Sequence, residues 1–325
     1  MGGTRNLGLT AIELLLQRGH TVTVFNRGIT PGALPEGVER LYGDRSNLQE
    51  LERALAGRTF DAVVDTTLYN GPDALTTIRA LNGKTGHYIF IGTGQVYLVR
   101  TGLQRPFHEE DYEGEVMEAP PEAQESDLRN WLYGFHKRAA EDHLFHAWKE
   151  SQFPVTSLRA PMINGEKDHY GRILGYVRRL EDGGPVLIPE EGSLQMRHVY
   201  CSDVAKIVAD LIESGRGKGR AYNVAQDETI SLNSFLESLA QILNVKLQLK
   251  RIPRAKLEEL KLLPACSPFS DPWMSELDNS RSKQELGVRY TSWETCLKNV
   301  ALHYKNHPQL QPEGYQGRSR ELMPL

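Results

Sequence analysis

The sequence predicts an α/β fold built on a doubly wound parallel sheet, with a smaller C-terminal lobe that binds substrate. Strand-like and helix-like segments alternate over the first 160 residues, the pattern of a parallel sheet covered by helices on both faces. A Gly-rich turn opens the chain, passing through Gly2 and Gly3 to Gly8 just ahead of an amphipathic helix. The run His87-Tyr88-Ile89-Phe90-Ile91-Gly92-Thr93 is almost wholly apolar, as strands buried on both faces are.

The first helix runs from Ala11 to Gln17 and ends at Gly19, and Thr21 to Arg27 then alternates as a strand. Turn, helix and strand together make the αβ part of a dinucleotide-binding unit, with the pyrophosphate at the helix N-terminus beside Gly2, Gly3, Asn6 and Leu7. The middle glycine of a G-x-x-G-x-x-G turn is replaced by Arg5, and Asn26-Arg27 stands where an NAD enzyme carries an acidic ribose ligand. Cations there favour a 2′-phosphate, hence NADP with NAD as the lesser alternative; the bland reading is a pair of surface arginines.

Residues 39–44 read as a short strand, 48–55 as a helix, 60–67 as the fourth strand and 72–81 as another helix. Thr66 and Thr67 end the fourth strand near the expected cofactor. The run ending at Thr93 follows, and ligands of open α/β sheets bind beyond such carboxyl ends, where the Thr93 hydroxyl can hold a substrate oxygen or simply cap the strand. Residues 100–127 are rich in Glu, Asp, Pro and Gly, a long polar loop able to cover a site.

Tyr133 and Lys137 lie four apart on the next helix, whose apolar positions are Trp131, Phe135, Ala139, Leu144, Phe145 and Trp148. At that spacing the two share a helical face, where an ammonium lowers a phenol's pKa toward the range useful for proton transfer; a solvated face is the alternative. The strand 155–158 closes the first domain, set at residues 1–160.

These segments resemble the extended short-chain dehydrogenase/reductase superfamily, a Rossmann-type group that holds the NAD-dependent epimerases and dehydratases of nucleotide sugars. Thr93-Gly94-Gln95-Val96-Tyr97 matches its Ser/Thr-x-x-Val-Tyr segment, and Tyr133-x-x-x-Lys137 its catalytic pair. Leu158-Arg159 to Gly165, Arg197-His198-Val199 to Ala205, and Ala221 to Ala225 match three later segments. The Gly-Gly-Thr-Arg opening, Phe25 to Gly28 and Asp168 to Arg172 are most similar to an atypical branch that includes chloroplast stem-loop RNA-binding proteins.

The resemblance implies catalytic roles for Thr93, Tyr133 and Lys137, the last also binding the nicotinamide ribose. It implies cofactor contacts from Asp44 to the adenine, a solvated turn Asp after Gly43 being the alternative, and from Ala160 and Met162 after the sixth strand, and substrate contacts from Gln95. Arg172 and Arg197 lie in a segment that the superfamily uses to hold a diphosphate, which suits guanidinium forks; Arg178 and Arg179 read instead as solvated helix charges. The superfamily's first strand is absent, since only Met1 precedes Gly2, and the expectation is a natural chain that starts upstream.

Residues 161–307 make the second lobe, interleaved with the last sheet strands, and 308–325 read as a loosely ordered tail holding Pro308, Pro312, Gly314 and Gly317. A net charge of −4 gives no global attraction to phosphate backbones, so nucleic-acid binding is disfavoured and a small-molecule substrate is expected. Cys201, Cys266 and Cys296 have no metal-ligand spacing and read as reduced thiols of a cytoplasmic protein. No stretch of about 18 apolar residues marks a membrane span, and the assembly is left open, a homodimer included.

Overall fold

The structure is a computed structural model that describes residues 1–30, 34–190 and 195–323. The chain forms, in order, α1 (Leu7–Gln17), β1 (Thr23–Asn26), β2 (Glu39–Tyr42), α2 (Leu48–Ala54), β3 (Val63–Asp65), α3 (Gly71–Leu81), β4 (Tyr88–Thr93), α4 (Gln95–Leu98), α5 (Glu125–Ser151) and β5 (Val155–Ala160). The second half adds β6 (Ile163–Asn164), α6 (Arg172–Glu181), β7 (Val186–Pro189), β8 (Gln195–Met196), β9 (Val199–Tyr200), α7 (Cys201–Ser214) and β10 (Arg220–Asn223). It ends with β11 (Ile230–Ser231), α8 (Leu232–Leu243), β12 (Leu249–Ile252), α9 (Arg254–Glu259), α10 (Ser280–Leu286), α11 (Trp293–Lys305) and α12 (Arg318–Glu321).

β10, β5, β4 and β3 form a parallel sheet in that order, and β1 pairs with β2 in a separate parallel ribbon. Met1 and Gly2 lie between the two. The Met1 ammonium donates to the Val64 oxygen at 2.5 Å, the Thr66 N–H donates to the Met1 oxygen at 3.2 Å, and the Gly2 N–H donates to the Phe25 oxygen at 3.0 Å.

Period-two alternation along β4 divides the first domain into two cores. Ile89 and Ile91 point to one face, where α1 and α7 supply Leu7, Val204 and Val208. Tyr88 and Phe90 point to the other, against Leu51, Leu81, Leu144 and Phe153. All six β4 residues are buried, and each large apolar side chain so removed from water contributes about 1.5–3 kcal/mol, which holds the carboxyl end at Thr93 in place.

α6, α8 and α11 close a third core around Tyr176, Phe235, Phe269, Trp293 and Tyr304, so the second lobe has its own hydrophobic centre. Arg178 and Arg179 depart from the solvated reading. Arg179 is fully buried, paired with Glu321 at 2.6 Å and donating to the Gly314 oxygen, while Arg178 donates to the oxygens of Tyr304, His307 and Leu310. They pin the C-terminal segment, which is therefore held against the lobe as far as Glu321 rather than loose. Paired charges with their protons satisfied are what allow such burial.

Candidate active site

α5 is 27 residues long, and Gln152 in the left-handed conformation stops it. The Gly134 position shows why it runs so close to the sheet end: a Cβ there would sit 2.6 Å from the Gln95 oxygen, so only glycine lets α5 pack on α4. This contact brings the Tyr133 phenol close to the Thr93 hydroxyl. Thr93 is nearly buried and also accepts from the Gln95 N–H at 3.3 Å. The Tyr69 ring stands 6.4 Å from that of Tyr133.

Lys137 is buried below, its ammonium donating to the Ile91 oxygen at 2.7 Å and the Leu68 oxygen at 2.9 Å and lying 4.1 Å from the Phe90 ring centre. Burial lowers it to about 7, against the opposing pull of Asp65. Burial pushes the Tyr133 phenol up to about 12, Tyr69 adds to the rise, and the nearby Thr93 hydroxyl opposes it, although 38% of the residue's surface stays open. The lowering of Tyr133 expected from the helical spacing is therefore absent in this geometry, because the Lys137 ammonium turns to the strand-end carbonyls and is itself desolvated.

At the opening turn, a Cβ on Gly8 would meet the Gly3 Cα at 2.5 Å, and one on Gly2 would meet Thr67 Cγ2 at 2.5 Å and Thr66 Oγ1 at 2.6 Å. Helix, turn and strand end thus close on one another through bare backbone, and Asn6, with φ of 36°, precedes α1 without a side-chain cap. Leu7 begins the helix and is buried in the sheet core. Such a turn before a helix N-terminus fits a dinucleotide pyrophosphate.

The other expected cofactor residues divide. Asn26 is held in the turn, donating weakly to the Gly2 oxygen at 3.4 Å and accepting from the Gly28 N–H at 2.9 Å. Arg27 is exposed and its charge acts on Asp44, whereas the charge of Arg5 acts on Tyr69 and His169. Asp44 caps its own turn through Ser46 at 2.9 and 2.7 Å, which lowers its carboxyl. Thr66 donates to the Met1 oxygen at 3.1 Å, and the Ala160 oxygen accepts from the Gly94 N–H at 2.8 Å. Met162 packs on the core of the second lobe.

Of the expected substrate residues, Gln95 turns to Asn130 at 3.3 Å. Arg172 pairs with Asp168 at 3.3 Å, stacks on Tyr170, and is close enough for its charge to act on Tyr133. Arg197 donates to the Thr229 hydroxyl and the Leu277 oxygen, so protein groups engage two of its nitrogens.

Sequence reasoning missed Arg45, which is nearly buried and reaches Asp65 at 2.7 Å, Thr67 and Thr77. The Tyr88 hydroxyl donates to the same carboxylate at 2.5 Å, and Arg45 holds Asp65 far below the usual carboxylate range against its burial. Tyr69 and Tyr170, beside Tyr133, were also missed; nothing in their local sequence separates them from ordinary loop tyrosines. Tyr97, Arg159 and Asn223, each within a recognised segment, form a buried brace: Arg159 pairs with Glu141 at 2.7 Å and donates to the Tyr97 hydroxyl, which donates to Asn223.

Comparison with known proteins agrees with this architecture. The model of the NAD dependent epimerase/dehydratase family matches residues 1–225. The chain is 24% identical to 2′-dehydrokanamycin reductase of Streptomyces kanamyceticus over 73% of its length and 63% of that protein. It is also 24% identical to the chloroplast stem-loop binding protein of 41 kDa b of Arabidopsis thaliana, over 74% of its length and 61% of that protein. The match thus spans about three fifths of these curated relatives. The dTDP-glucose 4,6-dehydratase of Bacillus anthracis, solved in complex with NAD, superposes with a TM-score of 0.75 at 15% identity, covering 95% of this chain and 96% of that one. By the family model and the fold together, this chain belongs to the NAD dependent epimerase/dehydratase family.

Proposed function

We propose that the chain is an NAD(P)-dependent oxidoreductase or epimerase acting at an oxygen-bearing carbon of a nucleotide sugar or a related small carbonyl compound. The observation that carries the reading is the convergence of the Tyr133 phenol and the Thr93 hydroxyl at the carboxyl end of β4, above a desolvated Lys137. Thr93 would hold the substrate oxygen and Tyr133 would exchange its proton. A phenol pushed up to about 12 is protonated at neutral pH, which suits donation to a carbonyl oxygen and so favours reduction. Lys137, lowered to about 7, can give or take a proton near neutrality and can bind a ribose hydroxyl.

The turn of Gly2, Gly3, Asn6 and Leu7 would hold the dinucleotide, with Asp44, Thr66, Thr67, Ala160 and Met162 along its length. The dinucleotide supplies or accepts the hydride. NADP is preferred in this reading because Arg27, exposed beside Asp44, offers a cation where an acidic ribose ligand would otherwise stand. Arg5 belongs on the pyrophosphate side, and Arg172 near the substrate.

The test follows NADPH and NADH absorbance across nucleotide sugars and small ketones, with Tyr133→Phe as control. Turnover of an accepted substrate at the parent rate by that variant removes the mechanism. A second reading, an RNA-associated protein in which catalysis is secondary, is favoured by the match to the stem-loop binding protein. Retention of stem-loop RNA that falls steeply with salt, together with no turnover of any substrate, would support it instead.

A further inference from the structure

A cavity of about 370 Å³ opens beside the start of α5, between Leu98 of α4, Met117, Pro120 and Gln124 of the preceding loop, and Asp127 and Trp273. Its size lies in the range of small-molecule sites, roughly 300–1,000 Å³. The Trp273 indole N–H donates to Asp127 Oδ1 at 2.8 Å, which fixes both side chains at the wall; Oδ2 of Asp127 takes no hydrogen bond among the described residues. The wall therefore presents an aromatic face beside an open carboxylate oxygen.

Its position links it to the reacting centre. Asp127 precedes Tyr133 by six residues, about 9 Å along the helix axis at the usual rise. Between them Asn130 accepts from Gln95, the residue two beyond Thr93, and Leu98 lies one turn further along α4. To occupy both places, a molecule would carry one ring at Tyr133 and a second beyond Gln95.

The charge around it is mostly negative. Residues 108–127 contain nine Asp and Glu and no Lys or Arg. Glu113, Glu115, Glu118, Glu122 and Glu125 are exposed and form no ion pair among the described residues. Three arginines lie nearby in the chain: Arg105 donates to the Pro272 backbone oxygen and Arg100 to the backbone oxygens of Asp111 and Glu115, while Arg129, two residues beyond Asp127, is exposed, so the acidic residues outnumber the cations. Such a rim attracts a cation and repels a diphosphate, and an indole face beside a carboxylate is suited to an ammonium-bearing ring.

We infer that this cavity binds the distal, amine-bearing ring of the substrate, so that the substrate class is a cationic amino sugar of two or more rings. The inference rests on the proposed reading of Tyr133 for where the reacting ring sits. The polyanionic end of a nucleotide sugar does not enter it.

Calorimetric titration of the full chain with the β-1,4 dimer of glucosamine and with cellobiose, which carries hydroxyls in place of the amines, tests this directly. The amine-bearing dimer should bind at least about tenfold more tightly, the charge-assisted contact being strong enough for that ratio. The advantage should shrink with added salt and in Asp127→Asn, and Trp273→Ala should weaken both sugars. UDP-glucose should not displace the dimer. Equal binding of the two disaccharides, unchanged affinity in folded Asp127→Asn, or displacement by UDP-glucose would overturn the inference. Because these titrations need no turnover, such a result alongside Tyr133-dependent NADPH oxidation would leave the catalytic reading intact, and loss of that dependence with selective amine binding would remove the catalytic reading alone.

Discussion

Arg45 and Asp65 form a nearly solvent-free two-pronged ion pair just under the carboxyl end of β3, each carboxylate oxygen lying 2.7 Å from a guanidinium nitrogen, and the Tyr88 hydroxyl donates to Oδ2 as well. The pair ties the loop after β2 to the strand end that carries Thr66 and Thr67. Asp65→Asn should cost about 3–5 kcal/mol of stability, because the guanidinium stays buried without its counter-charge. Its native pKa lies well below the ordinary 3.8, so its contribution is complete above that value and is lost progressively as pH falls below it toward the native value. Thermal melts from pH 6 to pH 2 should show a loss in the parent that is smaller in Asp65→Asn.

Tyr133→Phe removes only a hydroxyl from a residue that is partly open to solvent. Stability should change little, while turnover falls at least about 100-fold, the usual loss for a missing general acid. Steady-state kinetics with parallel melts separate the two effects.

Lys137→Met should weaken both dinucleotide binding and turnover. The lysine is lowered from 10.5 to about 7 in the fold, so between those values the unfolded chain binds more protons, and stability rises with pH by at most about 1.4 kcal/mol per unit. Denaturant unfolding of parent and variant at pH 7 to 10 should show this slope in the parent and not in Lys137→Met.

Arg27→Ala should reduce the affinity for NADPH by about tenfold and leave NADH nearly unchanged, as expected if a phosphate contact is lost. Fluorescence titration with both reduced dinucleotides measures it. An equal loss for the two would place Arg27 outside the 2′-phosphate site.

Glu321→Ala should destabilise the second lobe by about 3–5 kcal/mol, since Arg179 would be left buried without its carboxylate. Limited proteolysis would then release the C-terminal segment. A tail of the loose kind that its Pro and Gly content suggests would give no change in melting temperature.

Much of the first domain was legible in order along the chain. The apolar run to Thr93, the turn at Gly2 to Gly8 and the spacing of Tyr133 and Lys137 are local patterns, and period and turn chemistry are local properties of a sequence. The recognised segments around Tyr97, Arg159 and Asn223 were legible as positions, but their union in one buried brace was not, because the partners lie 62 or more residues apart.

The sequence by itself determined the alternation of strand and helix, the buried central strands and the shared helical face of Tyr133 and Lys137. Tertiary structure alone decided which charges were buried: Arg45, Arg178 and Arg179 are paired inside, while Arg27 is exposed. It also decided the protonation of the candidate site, raising Tyr133 and lowering Lys137. Spacing along a helix sets which residues can meet, but desolvation depends on every element packed around them, and at this site desolvation outweighs the attraction that spacing suggests.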